Sequence, residues 1–400
     1  MIRFIRTASS RALSAAAIGL TGLLLGGAMV ATGALSSDAK PAPKSLAQAV
    51  VDSQATRGTF SGVAARVTFK NSLVDSSVLG QGSDPLLGGG SGRLWADNNG
   101  NLRIELQSDG GGGDVQIVAN DKQVWVSYGT TSTVYRAAMP ARADKKRKAD
   151  THTPITVTTV ENALKAIAGD VTISDPTPDN IGGRPAYTVT MEPKDKSGLL
   201  AGARVSWDAS NGAPLAVALL AKGQADPVLD LHATDVQFGP VDASIFAITP
   251  PADAKIENIP VTDLLAKGKA DAAKAKTTKR AKPVTGLAAV QAALPFTVNA
   301  PASLAGMDRT EVMLLGKDKS AVITYGTGLG AIAVVESAAK PAKKANTGGL
   351  ELPTKTVGGV TITEFGTALG SIAMFTRDGV SYTLVGSVTT ATLESAVSGL

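Results

Sequence analysis

The chain has no cysteine, and only two histidines among 400 residues. The first absence excludes disulfides, thiolate zinc sites and a lipid-modified cysteine anchor. The second removes the usual ligands of a histidine-based metal site, so neither a metal nor a cofactor is expected. Aromatic residues make up 4% of the chain, so a core has to come from the Val, Leu, Ile and Ala that dominate the 44% apolar fraction. An excess of one charge is missing too. Thirty-nine basic residues against 34 acidic ones leave a net +5, too mild for a nucleic-acid partner. What is plentiful is Gly (43) and Pro (20), a turn-rich composition that favours β architecture. The length allows two or three domains.

The N-terminus reads as a targeting segment. Arg3, Arg6 and Arg11 lie in an n-region, residues 1–11, ahead of an uncharged apolar run, Ala12–Leu35, of 24 residues. That is long enough to span the hydrocarbon core as a helix, with the positive charges left on the cytoplasmic side. Two readings stand: a signal anchor, or a signal peptide cleaved near Ala31-Thr32-Gly33. Length favours the anchor, hence a single-pass protein of the cell membrane with the folded part outside the cytoplasm. The alternative is a secreted protein.

A polar spacer, 36–44, precedes a first domain, 45–255. Ser45 with Gln48 forms a capping box for a short helix to about Thr56. Strands are expected from Thr59–Phe69 onward, with turns at Gly88–Gly92, Asn98-Asn99-Gly100-Asn101, Asp109–Asp114 and Asn120-Asp121. Leu102, Ile104 and Leu106 alternate with Arg103, Glu105 and Gln107, the pattern of a strand with one wet face. After a basic stretch, Thr158-x-x-Glu161 suggests a second capped helix ending at Gly169. Strands follow over 186–191, 202–207, 215–220 and 229–238, with a polar hairpin also read at Asp235–Phe238, and Pro250-Pro251 closes the unit. Residues 256–285, rich in Lys and Ala, read as a linker. A second, α+β domain, 286–400, begins with a helix at Leu287, Val290 and Leu294. It has a hairpin turn at Arg377-Asp378-Gly379 and ends in a helix capped by Thr389 or Thr390.

No catalytic residues emerge. The Gly clusters neither precede Gly-Lys-Ser/Thr nor open a helix after a strand, so they are turns rather than phosphate cradles. Ser37-x-x-Lys40 falls in the spacer, where no pocket can form. His152 lies in the basic stretch, and His232 alternates with Asp230 and Thr234 on a polar strand face. No nucleophile elbow accompanies either histidine. The run Lys145-Lys146-Arg147-Lys148 is a solvated loop on the ordinary reading, or a contact for anionic head groups. Trp95, Trp125 and Trp207 each fall in an expected strand, as ordinary core or as cavity lining.

The order of parts from Leu199 to Ile256, with Thr59-Phe60-Ser61-Gly62, Gly92-Arg93-Leu94-Trp95, Leu102-Arg103-Ile104-Glu105 and Val124-Trp125-Val126-Ser127-Tyr128, resembles the LolA/LolB/RseB-like envelope lipoprotein carriers and regulators. The resemblance implies a mainly β fold: an incomplete antiparallel β-barrel with a helical lid, followed by a smaller α+β domain. It implies acyl chains of a lipid or lipoprotein held in the cavity, without catalysis. Leu102, Ile104, Leu106, Trp95 and Trp125 would then line the cavity, and Lys145, Lys146, Arg147 and Lys148 would meet head groups. The best-known carriers place a latching arginine just after the Leu-Trp pair. Here Ala96, Asp97 and Asn98 stand there, so the resemblance does not extend to the latch. Pro301–Gly306 and Arg377–Leu384 resemble the second domain of RseB-type regulators, which implies the alternative of a regulator docking on a membrane anti-sigma protein.

Overall fold

The computed structural model describes residues 39–55, 60–74, 84–111, 113–129, 133–138, 156–250, 252–259, 284–316, 320–339 and 352–400. The apolar run 12–35 and the basic run 145–148 lie outside them. Among the described residues no helix is long and apolar enough to cross a membrane.

The first unit is one curled sheet. Its strands are β1 (Gly62–Asn71), β2 (Gly90–Asp97), β3 (Leu102–Ser108), β4 (Asp114–Ala119), β5 (Gln123–Tyr128), β6 (Thr133–Ala138), β7 (Val171–Ile173), β8 (Thr177–Ile181), β9 (Arg184–Pro193), β10 (Leu200–Asp208), β11 (Pro214–Ala221), β12 (Leu229–Phe238) and β13 (Lys255–Ile259). They run in the order β13-β6-β5-β4-β3-β2-β1-β12-β11-β10-β9-β7, with β8 also paired to β9. Pairing is antiparallel, save that β13 lies parallel to β6. The curl has a local cause in β2. A Cβ at Gly92 would stand 1.7 Å from the Glu105 carbonyl oxygen, and one at Gly90 2.2 Å from that of Gln107. Strand β3 therefore folds in toward the face these glycines occupy, and only residues without a side chain allow it. The expected turn at Gly88–Gly92 is corrected accordingly: Gly90 and Gly92 are strand residues.

Helices cover the same face. In α1 (Leu46–Ala55), the Ser45 hydroxyl accepts from the Gln48 amide at 3.3 Å as an N-cap, while the Gln48 side chain donates to Asp52 Oδ1 at 2.6 Å rather than closing the box. Ala49 of α1 packs with Tyr187, Val189 and Trp207 of β9 and β10. The chain just before α1 is tied down as well: the Tyr187 hydroxyl donates to the Ala42 carbonyl at 2.5 Å. A helical turn, α2 (Pro85–Gly88), sets Leu86 against the inner residues of β1–β5. Helix α3 (Val157–Ile167) packs on α1. Its cap is Thr156, whose hydroxyl accepts from the Thr159 amide at 3.2 Å, so the helix starts before the expected Thr158. The expected strand 229–238 is present as β12, which settles Asp235–Phe238 as strand rather than hairpin. One further expectation changes: the chain at Lys255–Ile259, expected to begin the linker, is strand.

The second unit is an eight-stranded sheet with helices on one face. Its strands are β14 (Ser303–Leu304), β15 (Met307–Leu315), β16 (Ser320–Tyr325), β17 (Ile332–Ala338), β18 (Thr354–Val357), β19 (Val360–Thr367), β20 (Gly370–Arg377) and β21 (Val380–Gly386). Helices α4 (Leu287–Ala293) and α5 (Thr390–Gly399) bury Val290, Leu393 and Val397 against Ile323, Ile332, Val334 and Leu384. The turn between β20 and β21 carries φ +50° at Asp378 and +73° at Gly379, the two positive values a tight hairpin needs.

Candidate functional site: an apolar trough

Strand register sorts the first sheet into two chemically different faces. On the inner face a cross-strand row runs Val236–Ala65–Leu94–Ile104–Ile117–Val126–Tyr135. A second runs Phe238–Val63–Ala96–Leu102–Ala119–Val124–Ala137. A third runs Ala233–Val67–Gly92–Leu106–Val115–Tyr128. No Asp, Glu, His, Lys or Arg stands in any of the three. Only part of this surface is sealed. Val67, Leu106 and Val115 are buried, Leu94, Leu102, Ile104, Ile117 and Val126 are half-buried, and Tyr135 is 37% exposed. Burial, and after it the Asp84 carboxylate, pushes the Tyr128 hydroxyl pKa above its ordinary value.

The outer face is polar. One row there is Asp235–Arg66–Arg93–Glu105–Gln116–Ser127–Val134. Arg103 pairs with Glu105, which also accepts from Gln116 Nε2 at 3.0 Å. Trp95 and Trp125 belong to this face, in the row Ala64–Trp95–Arg103–Val118–Trp125–Arg136. The Arg103 guanidinium lies over the Trp95 ring, 5.4 Å from its centroid. Trp125 is buried with Val118 and Val134 beneath Ile248 and Ala254. The structure thus brings Leu102, Ile104 and Leu106 together on the trough, and it does not bring Trp95 or Trp125 there. Trp207 is core, packed on Tyr187 under α1. The inner partners that sequence reading left out, Leu94, Ile117 and Val126, sit at alternating positions of their strands and were open to the same argument as Ile104.

The outer face also holds a polar cleft of about 400 Å³, lined by Asp179, Thr188, Arg204, Ser206, Asp230 and His232 among others. Its groups do not assemble a nucleophile. His232 Nδ1 is 3.2 Å from Asp230 Oδ2, and the Ser206 hydroxyl is 2.7 Å from that of Thr188. Ser206 and His232 are separated by Ala216 in their row, two strand spacings or roughly 10 Å. The Ser206 hydroxyl is thus engaged with Thr188 and the His232 ring with Asp230, rather than with each other. Among the described residues no group of acidic or histidine side chains is arranged to hold a metal ion.

No family model matches the chain, and no curated protein does. Solved structures align with the chain at low similarity. The complex of Pseudomonas aeruginosa MucA and MucB aligns over 88% of this chain and 94% of that one, at 15% identity and TM-score 0.35. A putative outer membrane lipoprotein-sorting protein domain from Vibrio parahaemolyticus aligns over 50% and 95%, at 12% identity and TM-score 0.22. A LolA superfamily protein from Nitrosomonas europaea aligns over 51% and 97%, at 12% identity and TM-score 0.22. With TM-scores below 0.5, none of these likenesses assigns a function to this chain.

Proposed function

We propose that the chain is an extracytoplasmic binding protein that holds acyl chains of a lipid or lipoprotein in the trough of its half-barrel and catalyses no reaction. The observation that carries this is the set of three uncharged, largely apolar rows that are only partly sealed. The two longer rows cross seven strands, roughly 29 Å along the sheet at the usual strand spacing. Each methylene removed from water there is worth about 0.8 kcal/mol, so an acyl chain of ordinary length has enough surface to bind. The basic run Lys145–Lys148 is assigned to anionic head groups, and Ala12–Leu35 to holding the protein on the outer face of the membrane. The test is Ile104→Asp, which places a carboxylate at the centre of the first row. It is expected to abolish uptake of a fluorescent fatty acid while the β circular dichroism signal is kept. Unchanged uptake by a folded variant sinks the assignment.

A second reading, a regulator whose second unit docks on a membrane protein, has one observation in its favour. The face of the second sheet turned away from α4 and α5 carries the row Phe365–Ile372–Val385–Ala333, with Val385 39% exposed. Co-purified lipid favours the first reading, and a co-purified membrane protein the second.

A further inference from the structure

The two units meet at one rim of the half-barrel through a set of close backbone contacts. The loop between β9 and β10 enters a notch of the second unit. There Asp195 Oδ2 accepts from the Leu329 amide at 2.5 Å, and the Ser197 hydroxyl oxygen accepts from the Gly330 amide at 2.9 Å. The Leu199 amide donates to the carbonyl of Ser387 at 3.1 Å and to its hydroxyl oxygen at 3.0 Å. Three glycines make the approach possible. A Cβ at Gly328 would stand 1.9 Å from Asp195 Oδ2, one at Gly330 2.6 Å from the Ser197 carbonyl, and one at Gly198 2.8 Å from Leu329 Cβ.

A second contact lies apart from the first: the Ala368 amide, between β19 and β20, donates to the Leu73 carbonyl just past β1 at 2.7 Å. Strands β1 and β10 are three places apart in the sheet, roughly 14 Å. Two attachments at that spacing restrain rotation in a way one cannot, and they bracket the ends of β12 and β11. The same rim holds α2, whose Leu86 lies on the trough.

We infer that the second unit is seated as a fixed end wall on this rim of the half-barrel, and that loading the trough does not require the two units to part. The seating stands on the contacts alone; the statement about loading rests on the trough reading above. Asp195 is poised for its role, since the Ser197 hydroxyl, the Leu329 amide and the Ser197 amide all hold its carboxyl below the ordinary pKa.

The absence of cysteine makes a clean test available in the full-length chain. Leu199→Cys with Ser387→Cys places two thiols across the interface at residues already joined by the Leu199 amide and the Ser387 carbonyl at 3.1 Å, and it adds no Cβ where a glycine is needed. A matching pair at Ala218 and Asp230, cross-strand partners within the first unit, reports the oxidation itself. The interface pair is expected to oxidise as readily as the reference pair. Adding Asp195→Ala is expected to slow it roughly tenfold, as loss of a charge-assisted hydrogen bond implies. Fatty-acid uptake is expected to be equal in the oxidised and reduced forms. A reference pair that closes while the interface pair stays open overturns the seating. Uptake lost on oxidation and restored by reductant overturns the end wall, because the units would have to separate. A reduced form that takes up no fatty acid counts against the trough and with it the statement about loading, and the crosslink then judges the seating by itself.

Discussion

Glu336 offers the sharpest test of the energetics of the second unit. It lies on the core face of β17 and is fully buried. One carboxylate oxygen accepts from the Asn299 amide at 3.0 Å, and the other meets no hydrogen-bond partner among the described residues. Burial raises its pKa from 4.5 to about 7, against the opposing effect of the Asn299 amide. Between those values the folded state keeps a proton that the unfolded chain has released. Stability therefore falls as pH rises through 4.5 to 7 and levels off above, by about 3 kcal/mol in all. Glu336→Gln keeps an acceptor for Asn299 and cannot ionise. It is expected to match the wild type near pH 4.5 and to exceed it by up to about 3 kcal/mol at pH 8. Hydrogen exchange of the β16 and β17 amides, corrected for the pH dependence of the chemical rate, reads the second unit alone. Equal pH slopes in the two proteins would refute the reasoning.

Two further predictions concern the half-barrel. Asp208 is fully buried and accepts from Arg184 Nε at 2.7 Å and from the Ser210 and Asn211 amides at 2.8 and 3.2 Å. Asp208→Ala is expected to cost about 3–5 kcal/mol, measured as a urea midpoint by the fluorescence of nearby Trp207, and a loss under about 1 kcal/mol would contradict it. Gly92→Val separates two forces of opposite sign. Strand propensity alone favours valine, whereas the clash with the Glu105 carbonyl predicts a loss of about 3 kcal/mol or more. A variant as stable as the parent would mean that β3 does not close over β2 as described.

The parts of this fold that were legible in the chain are those fixed by local chemistry. Ser45 and Thr389 cap their helices, and Asp97 accepts from the Asn99 and Asn101 amides at 2.9 Å, fixing the expected Asn-Asn-Gly turn. The alternation at Leu102, Ile104 and Leu106 likewise specified a shared face. The tryptophans did not yield to the same logic. Val124-Trp125-Val126 is apolar at every position, because the outer face is itself covered there by Ile248 and Ala254. Periodicity cannot pick a face when both are dry. Strand β8, Thr177–Ile181, contains Pro178, Asp179 and Asn180, poor strand formers that only pairing with β9 holds extended. Gly90 and Gly92 looked like turn residues because their reason for being glycine is the backbone of β3, a partner that no short window contains.

The parallel strand β13 has a consequence for how these molecules behave toward one another. A curled open sheet leaves an edge whose free amides and carbonyls invite a strand from a neighbouring copy. Here the outermost strand of the antiparallel run, β6, is already taken, by a segment of the same chain that first crosses the outer face. The new edge it leaves is only five residues long and charged. Lys255 pairs with Glu257 at 2.8 Å, and Asn258 accepts from Arg136 Nε at 3.0 Å. Short, charged edges are poor templates for polymerisation. The trough can thus stay open while this flank of the half-barrel is closed to self-assembly.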